Sequence, residues 1–472
     1  MKKLLSILLI LAMLVLPMLS ACGTDGEPEE SEKEQIDVMK EIRKAMNAAT
    51  SYECNGQVEL KAYVNEEEIV VHGTSYEVNF NDSDDPYYYS ETTSNTTYQG
   101  TYFENIIVEA YNDGNFFYAY GEGNRKRKFY SELSAEEFEE YMSRVKEDSD
   151  LLESYGNIFD EVNADGSHTV TLSNYSKDAI RRINAYMDFP MEDGGAEITH
   201  IEVTINAAKA YLVNDITVKY IFSDERYSAS QTNIFYNYNC ANKNLVDVKT
   251  SAYTKVDDAR IMPMINHLID DRMNCDYGTF DYTNEVEITL SGELIGGTPT
   301  NYDVIYGNED GFFFDISGDE VGVACSYVYK GGVYEEDGKV VEDSDFNDVS
   351  AKQFITSIVD PFDYNQISTK SMTASVADDG TVNYRINLNE NDSTIPDVMK
   401  ALYAELGLTL YNLPVDSYLV VSVKDYQLVS FGYELSAVVN VTVASTNKRG
   451  ALRVSMTVTT VFDSNDDTTT HI

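Results

Sequence analysis

The sequence predicts an α+β protein made of two tandem copies of one domain. Each copy is a curved, unclosed antiparallel β-barrel or sheet with helices covering its concave face. Three observations carry this expectation. Tyr occurs 36 times and hydrophobic residues make up 43% of the chain, and long stretches alternate apolar with polar side chains, as half-buried strands do. Short blocks recur in the same order at offsets of 214 to 218 residues, a mark of internal duplication. Each half also opens on apolar residues at helical spacing. A sheet of many strands curls, and its concave face must be covered.

The elements follow in order. Glu32 to Ala49 places Ile36, Met39, Ile42 and Met46 on one helical face. Its counterpart is Val256 to Met273, where Pro263 is expected to end or kink the helix. Val58, Leu60, Ala62 and Val64 then alternate with Glu59, Lys61 and Tyr63, and Glu68 to Phe80 alternates more loosely. The strings NDSDDP (81–86) and YNDG (111–114) are turn chemistry. Ser134 and Glu137 form a capping box ahead of a helix, repeated by Ser350 and Gln353. Short helices are expected near Ser176–Met187 and Thr394–Leu406, and about four strands close each copy.

Four matched blocks define the repeat. YNDG at 111–114 matches YKGG at 329–332, and SAEEF at 134–138 matches SAKQF at 350–354. NADG at 163–166 matches ADDG at 377–380, and Ile201 to Tyr211 matches Leu419 to Tyr426. The copies are read as 34–254 and 255–472, after a leader at 1–21 and an acidic tether at 22–33.

That leader has Lys2 and Lys3, then an apolar run from Leu4 to Leu19 that is short for a comfortable membrane span. It ends Leu19-Ser20-Ala21-Cys22, which resembles the bacterial lipobox. The resemblance implies cleavage before Cys22 and diacylglyceryl modification of its thiol. An ordinary secretory signal with a chance cysteine is the alternative. Two acyl chains would anchor the chain at the extracytoplasmic face of the cell membrane. With 34 Lys+Arg against 80 Asp+Glu, net −46, nucleic acid is an unsuitable partner, because phosphate binding needs basic stripes.

Opening helix, meander, Tyr-x-x-Gly hairpin, capped mid-domain helix and closing strands together resemble the Lol-type lipoprotein-carrier fold. Mycobacterial lipoglycan-carrier lipoproteins and many Gram-positive lipoproteins share it. The resemblance covers nearly the whole mature chain and rests on structural turns and caps. It implies a cavity between sheet and helices that takes acyl chains or lipid-linked cargo. Tandem duplication departs from the single-domain carriers.

Few residues suggest other chemistry. His72, His168, His200, His267 and His471 have no metal-ligand spacing, and His72 is expected to pack within a strand. Asp343, Asp345 and Asn347 have the start of a calcium-loop spacing, but Asp348 and Phe354 stand where glycine and an acid belong. The SxxK strings at Ser143–Lys146 and Ser445–Lys448 lack their companion motifs. No metal, cofactor or catalytic set is expected, and the chain is read as a non-enzyme. GNRKRKF (123–129) is the main basic cluster of the mature chain, fit either for anionic lipid or wall polymer or for a plain hairpin tip. Cys54, Cys240, Cys275 and Cys325 allow the intra-copy pairs Cys54–Cys240 and Cys275–Cys325, or four free thiols.

Aromatic residues are the ligand candidates. Phe116, Tyr118 and Tyr120 share a strand face with Phe117 opposite, and Phe312 and Phe314 belong to a run in the second copy. They would line an apolar pocket or fill an ordinary core, while exposed tyrosine rows suit stacking on sugars. The expected function is binding of an apolar or lipid-linked ligand. The alternative is a non-catalytic envelope protein that contacts cell-wall polymers or other surface proteins.

Overall fold

In the computed structural model the chain divides into two units, Met1–Lys255 and Val256–Ile472. The structure describes residues 38–64, 67–80, 86–98, 101–122, 127–147, 155–177, 180, 198–240, 246–273, 277–307, 313–320, 323–330, 333–341, 369–388, 394–408, 415–443 and 448–463.

The first unit begins with α1 (Val38–Asn47) and five long strands, β1 (Ser51–Val64), β2 (Glu67–Phe80), β3 (Tyr87–Tyr98), β4 (Thr101–Asn112) and β5 (Asn115–Glu122). Next come β6 (Arg127–Glu132), α2 (Ala135–Glu147), β7 (Asn157–Val162) and β8 (His168–Ser173). β9 (Ile198–Ala207), β10 (Val213–Phe222), β11 (Ser228–Tyr236) and β12 (Thr254–Lys255) close the unit. They form one sheet in the order β12-β6-β5-β4-β3-β2-β1-β11-β10-β9-β8-β7. Every pairing is antiparallel except the short parallel β12–β6 contact.

The second unit starts with α3 (Ile261–Met273), β13 (Tyr277–Leu290), β14 (Glu293–Gly307), β15 (Phe313–Glu320), β16 (Val323–Lys330), β17 (Val333–Glu336) and β18 (Lys339–Val340). It continues with β19 (Thr369–Val376), β20 (Val382–Leu388), α4 (Thr394–Glu405), β21 (Val415–Lys424), β22 (Gln427–Val443) and β23 (Lys448–Phe462). Its sheet runs β18-β17-β16-β15-β14-β13-β23-β22-β21-β20-β19. The protein is therefore mostly β, with large unclosed antiparallel sheets.

Side-chain parity sets the faces. Along β1, Cys54, Val58, Leu60 and Ala62 are buried while Asn55, Gln57 and Glu59 are exposed. α1 lays Val38, Met39, Ile42 and Met46 into the core cluster that holds Val58, Leu60, Val71, Val203 and Val218. Burying such a stripe is what holds a ten-residue helix that would be marginal alone. In the second unit Ile261, Ile265, Leu268 and Ile269 of α3 are buried, as are Met399 and Tyr403 of α4. The Tyr403 hydroxyl donates to the Ala437 carbonyl at 2.5 Å.

The helix begins at Ile261 rather than at Val256, and Pro263 does not end it. This proline sits in the first turn of α3, where a missing N–H breaks no intrahelical bond. The capping box at α2 forms: Glu137 N–H donates to Ser134 Oγ at 3.2 Å and Ser134 N–H to Glu137 Oε2 at 2.9 Å. The matching box at Ser350 and Gln353 lies outside the described residues, as do Cys22, the tether, the Asp343–Asp348 loop and most of Ser176–Met187. The β4–β5 hairpin turns on Asp113 and Gly114, both at positive φ (50° and 71°), as a two-residue turn demands.

Two corresponding hairpin turns have the same hydrogen bonds. Asn163 N–H donates to the Ser167 carbonyl and Ala377 N–H to the Thr381 carbonyl, each at 2.8 Å. Ser167 N–H donates to Asp165 and Thr381 N–H to Asp379, each at 3.0 Å. Gly166 and Gly380 take positive φ of 82° and 89°.

Ile42→Ala should lower unfolding free energy by about 2–5 kcal/mol and Ser134→Ala by about 1 kcal/mol, read by urea denaturation. A loss at Ile42 no larger than that of exposed Asn47→Ala would disprove the packing of α1.

Candidate functional site

The inner face of the first sheet is the candidate site. Strand register places side chains in cross-strand rows. One row runs Phe235, Cys54, Glu77, Ser90, Glu109, Tyr118 and Phe129 across β11, β1, β2, β3, β4, β5 and β6. The next runs Tyr52, Asn79, Tyr88, Tyr111, Phe116 and Ser131.

α2 lies on these rows. Phe138 stacks on Tyr111 with ring centroids 4.2 Å apart, and Tyr141 meets Phe116 edge-on at 5.2 Å. Two carboxylates are buried among the rings, Glu77 at 4% and Glu109 at 8% exposure. The Tyr52 hydroxyl donates to Glu77 at 2.7 Å and the Tyr141 hydroxyl to Glu109 at 3.3 Å. Asn79 Nδ2 donates to Tyr52 Oη at 3.3 Å.

Burial pushes the Tyr52, Tyr88, Tyr118 and Tyr141 hydroxyls well above the usual phenol range, and the carboxylates of Glu77 and Glu109 push them further. These phenols are therefore neutral donors, suited to holding carboxylates and unsuited to nucleophilic work.

The inner face continues as a polar strip. Thr92, Ser94 and Thr96 project from β3 beside Ser75, Gly73 and Val71 of β2, then Gly56, Val58 and Leu60 of β1. Asn233, Gln231 and Ala229 of β11 extend the same three rows to Ile216, Val218 and Tyr220 of β10. A Cβ on Gly56 would meet Ser75 Oγ at 2.1 Å and Asn233 Oδ1 at 2.6 Å. Glycine is thus what lets these two polar groups lie over β1.

The opposite face is different. Val78, Tyr87, Tyr89, Val108, Ala110, Phe117 and Ala119 form a second cluster, against which Val246, Val248 and Tyr253 pack. On that face the Tyr76 hydroxyl donates to Glu53 at 3.2 Å, and burial with the Glu53 charge pushes its pKa up to about 12.

The expected aromatic set comes together only in part. Phe116, Tyr118 and Tyr120 do share the inner face, with Phe117 opposite. All three are buried against protein, Phe116 on Tyr141 and Tyr120 on Tyr118 and Phe129. Phe314 is buried and stacks on Tyr329 at 5.6 Å, while Phe312 lies outside the described residues.

The Cys54–Cys240 pair does not form: both are free thiols, as is Cys325. Cys54 points to the inner face, whereas Cys240 is exposed and its N–H bonds Ser51 Oγ on the opposite parity. Cys275 lies outside the described residues. His72 does not pack in a core: its side chain is 62% exposed, 3.9 Å from Glu59. His168 instead bonds Asp160 at 3.1 Å and stacks on Tyr211. Among the described residues no group of three or more His, Cys, Asp or Glu could hold a metal ion. Of the basic cluster, Lys128 lies over the Tyr253 ring, while 123–126 are outside the described residues.

Sequence reasoning missed Glu77 and Glu109. The available signal was parity, since each sits at an inward position of an alternating strand.

No family model and no curated relative matches the chain. Among solved structures, an AttH candidate from Nitrosomonas europaea aligns at 7% identity and TM-score 0.13, covering 86% of this chain and 92% of that one. The outer membrane protein OpdK of Pseudomonas aeruginosa aligns at 7% identity and TM-score 0.12, covering 88% and 99%. Scores this low carry no argument about fold or function.

Raised phenol pKa values stabilise the fold fully below the unfolded value near 10, and this is lost as pH rises through the folded values, about 12 for Tyr76 and Tyr282. Absorbance at 295 nm should therefore show a second, late class of tyrosines ionising together with loss of far-ultraviolet dichroism. A single titration near pH 10 with the fold intact would rule this out. Cys240 should react rapidly with a thiol reagent while Cys54 stays protected until unfolding.

Proposed function

We propose that the chain is a lipid-anchored extracytoplasmic binding protein. In this reading it carries two carrier-like domains, 34–254 and 255–472, that take an apolar or lipid-linked ligand without catalysis. One observation carries the reading: both sheets follow the same strand order after an opening helix. In each, the first strand is central, the following strands step outward on one side, and the last long strand returns to pair with the first. The matched turns at Asp165 and Asp379 support descent of both units from one domain.

Helices with buried apolar faces in both units support the idea of helices covering a concave face. The ligand would enter by parting a helix from the sheet, with burial worth about 25 cal/mol per Å² of apolar surface. The anchor at Cys22 and the membrane location rest on the lipobox resemblance, as does exclusion from the cytoplasm.

One observation favours the second reading, a non-catalytic envelope protein that contacts wall polymers or other surface proteins. Phe116, Tyr120 and Phe314 are already packed by protein side chains. A filled concavity would leave only the acidic, tyrosine-rich outside to act.

The test uses the full chain carrying Cys22→Ala, which cannot be acylated and should lose all palmitate labelling. Mass spectrometry of organic extracts should find co-purifying lipid near one per chain, and delipidation should lower its melting temperature. A lipid-free protein whose melting is unmoved by added lipid would favour the envelope reading.

A further inference from the structure

The polar strip on the inner face of the first sheet is not what an acyl-chain cavity requires. Such a cavity is lined by aliphatic and aromatic side chains. Here three adjoining rows hold four buried polar atoms that have no hydrogen-bond partner among the described residues: Ser94 Oγ, Thr96 Oγ1, Asn233 Nδ2 and Tyr220 Oη. Their residues are 1%, 0%, 0% and 3% exposed. Leaving such groups unmade is costly, and native interiors rarely do so without a ligand or ordered water.

They lie on β3, β11 and β10, within three adjoining rows of one face. Asn233 lies in the row of Thr92, Ser94 in the row of Gln231, and Thr96 in the row of Tyr220. Between them stand the small residues Gly73, Gly56 and Ala229, with Val71, Leu60 and Val58 of the core cluster under α1 in the same rows. The four atoms mix donors and acceptors: an amide N–H₂, two aliphatic hydroxyls and a phenol. The strip itself bears no positive charge, and the buried carboxylates Glu77 and Glu109 share the adjoining row, on β2 and β4. That electrostatic setting disfavours phosphate and other anionic head groups. It suits a neutral molecule with many hydroxyls.

We propose that this strip binds a neutral polyhydroxylated group, a glycosyl or polyol moiety, through Ser94, Thr96, Asn233 and Tyr220. The inference rests on the ligand-binding reading and adds to it the chemistry of the head group. In that arrangement the sugar hydroxyls bond the four orphaned atoms, and the apolar cluster beside α1 meets whatever alkyl portion accompanies the sugar.

Three probes separate the possibilities on the full chain carrying Cys22→Ala, followed by calorimetry. They are maltose, dodecyl maltoside below its micelle concentration, and dodecylphosphocholine with the same alkyl chain. The expected result is binding of dodecyl maltoside at least about tenfold tighter than dodecylphosphocholine. Equal binding of the two surfactants overturns the inference while leaving the apolar-ligand reading intact. Binding of maltose alone, with no gain from the alkyl chain, upholds the inference and sinks the lipid part of that reading. No binding of maltose or its dodecyl derivative overturns the inference.

Ser94→Ala and Thr96→Val then test the residues. Each removes a hydroxyl that bonds nothing among the described residues, so the empty variant should melt no lower than the parent. Maltoside affinity should fall about tenfold for each, with dodecylphosphocholine binding unchanged. Maltoside affinity unchanged in both variants would show that the hydroxyls bond only water, and would overturn the inference.

Discussion

Each unit depends on one long-range pairing, that of its first strand with its last long strand. β1 meets β11 with Cys54 opposite Phe235, and β13 meets β23 with Phe280 opposite Phe462. Without it each unit would be two separate meanders with exposed edges. With it, the opening helix has a continuous apolar floor contributed by both ends of the unit, as α1 does over Val58, Leu60, Val203 and Val218. The partners are 181 and 182 residues apart, so this contact closes a very large loop, with the entropy cost that goes with it.

That pairing also decides what the inner face can hold. It sets β11, with Gln231 and Asn233, beside the glycine of β1, with only β1 and β2 between it and the hydroxyls on β3. A register slip of one residue would turn every one of these side chains outward. The polar strip is thus a consequence of register. The aromatic end of the same face is stabilised differently: neutral phenols hold Glu77 and Glu109 in a place where unpaired carboxylates would be costly.

The two sheets share strand order but not side chains. In the row that carries Glu77 and Ser90 in the first sheet, the second has Val304 and Ile316. Next to the Phe235 and Phe462 pairings, Asn233 and Thr460 occupy the same place, and each has a buried polar atom without a partner among the described residues. The frames agree and the side chains on them diverge.

Much of the local structure was legible in the sequence for a physical reason. Period-two alternation marked β1 and β23, helical spacing marked α1, and Ser134 with Glu137 marked the start of α2, because each is fixed by neighbours within a few residues. Turn residues such as Asp113 and Gly114 were legible for the same cause. The free state of Cys54 and Cys240, the exposure of His72 and the harmless position of Pro263 were not, since each depends on which face or turn the residue occupies. Nor were Glu77, Glu109 and Ser94 as a site. The sequence by itself determined the kind of elements, their order and the acidic character of the chain, all local or compositional properties. Only the tertiary structure decided which strands became neighbours, and so which polar side chains were carried together into the interior, because cross-strand register couples residues that the chain keeps far apart.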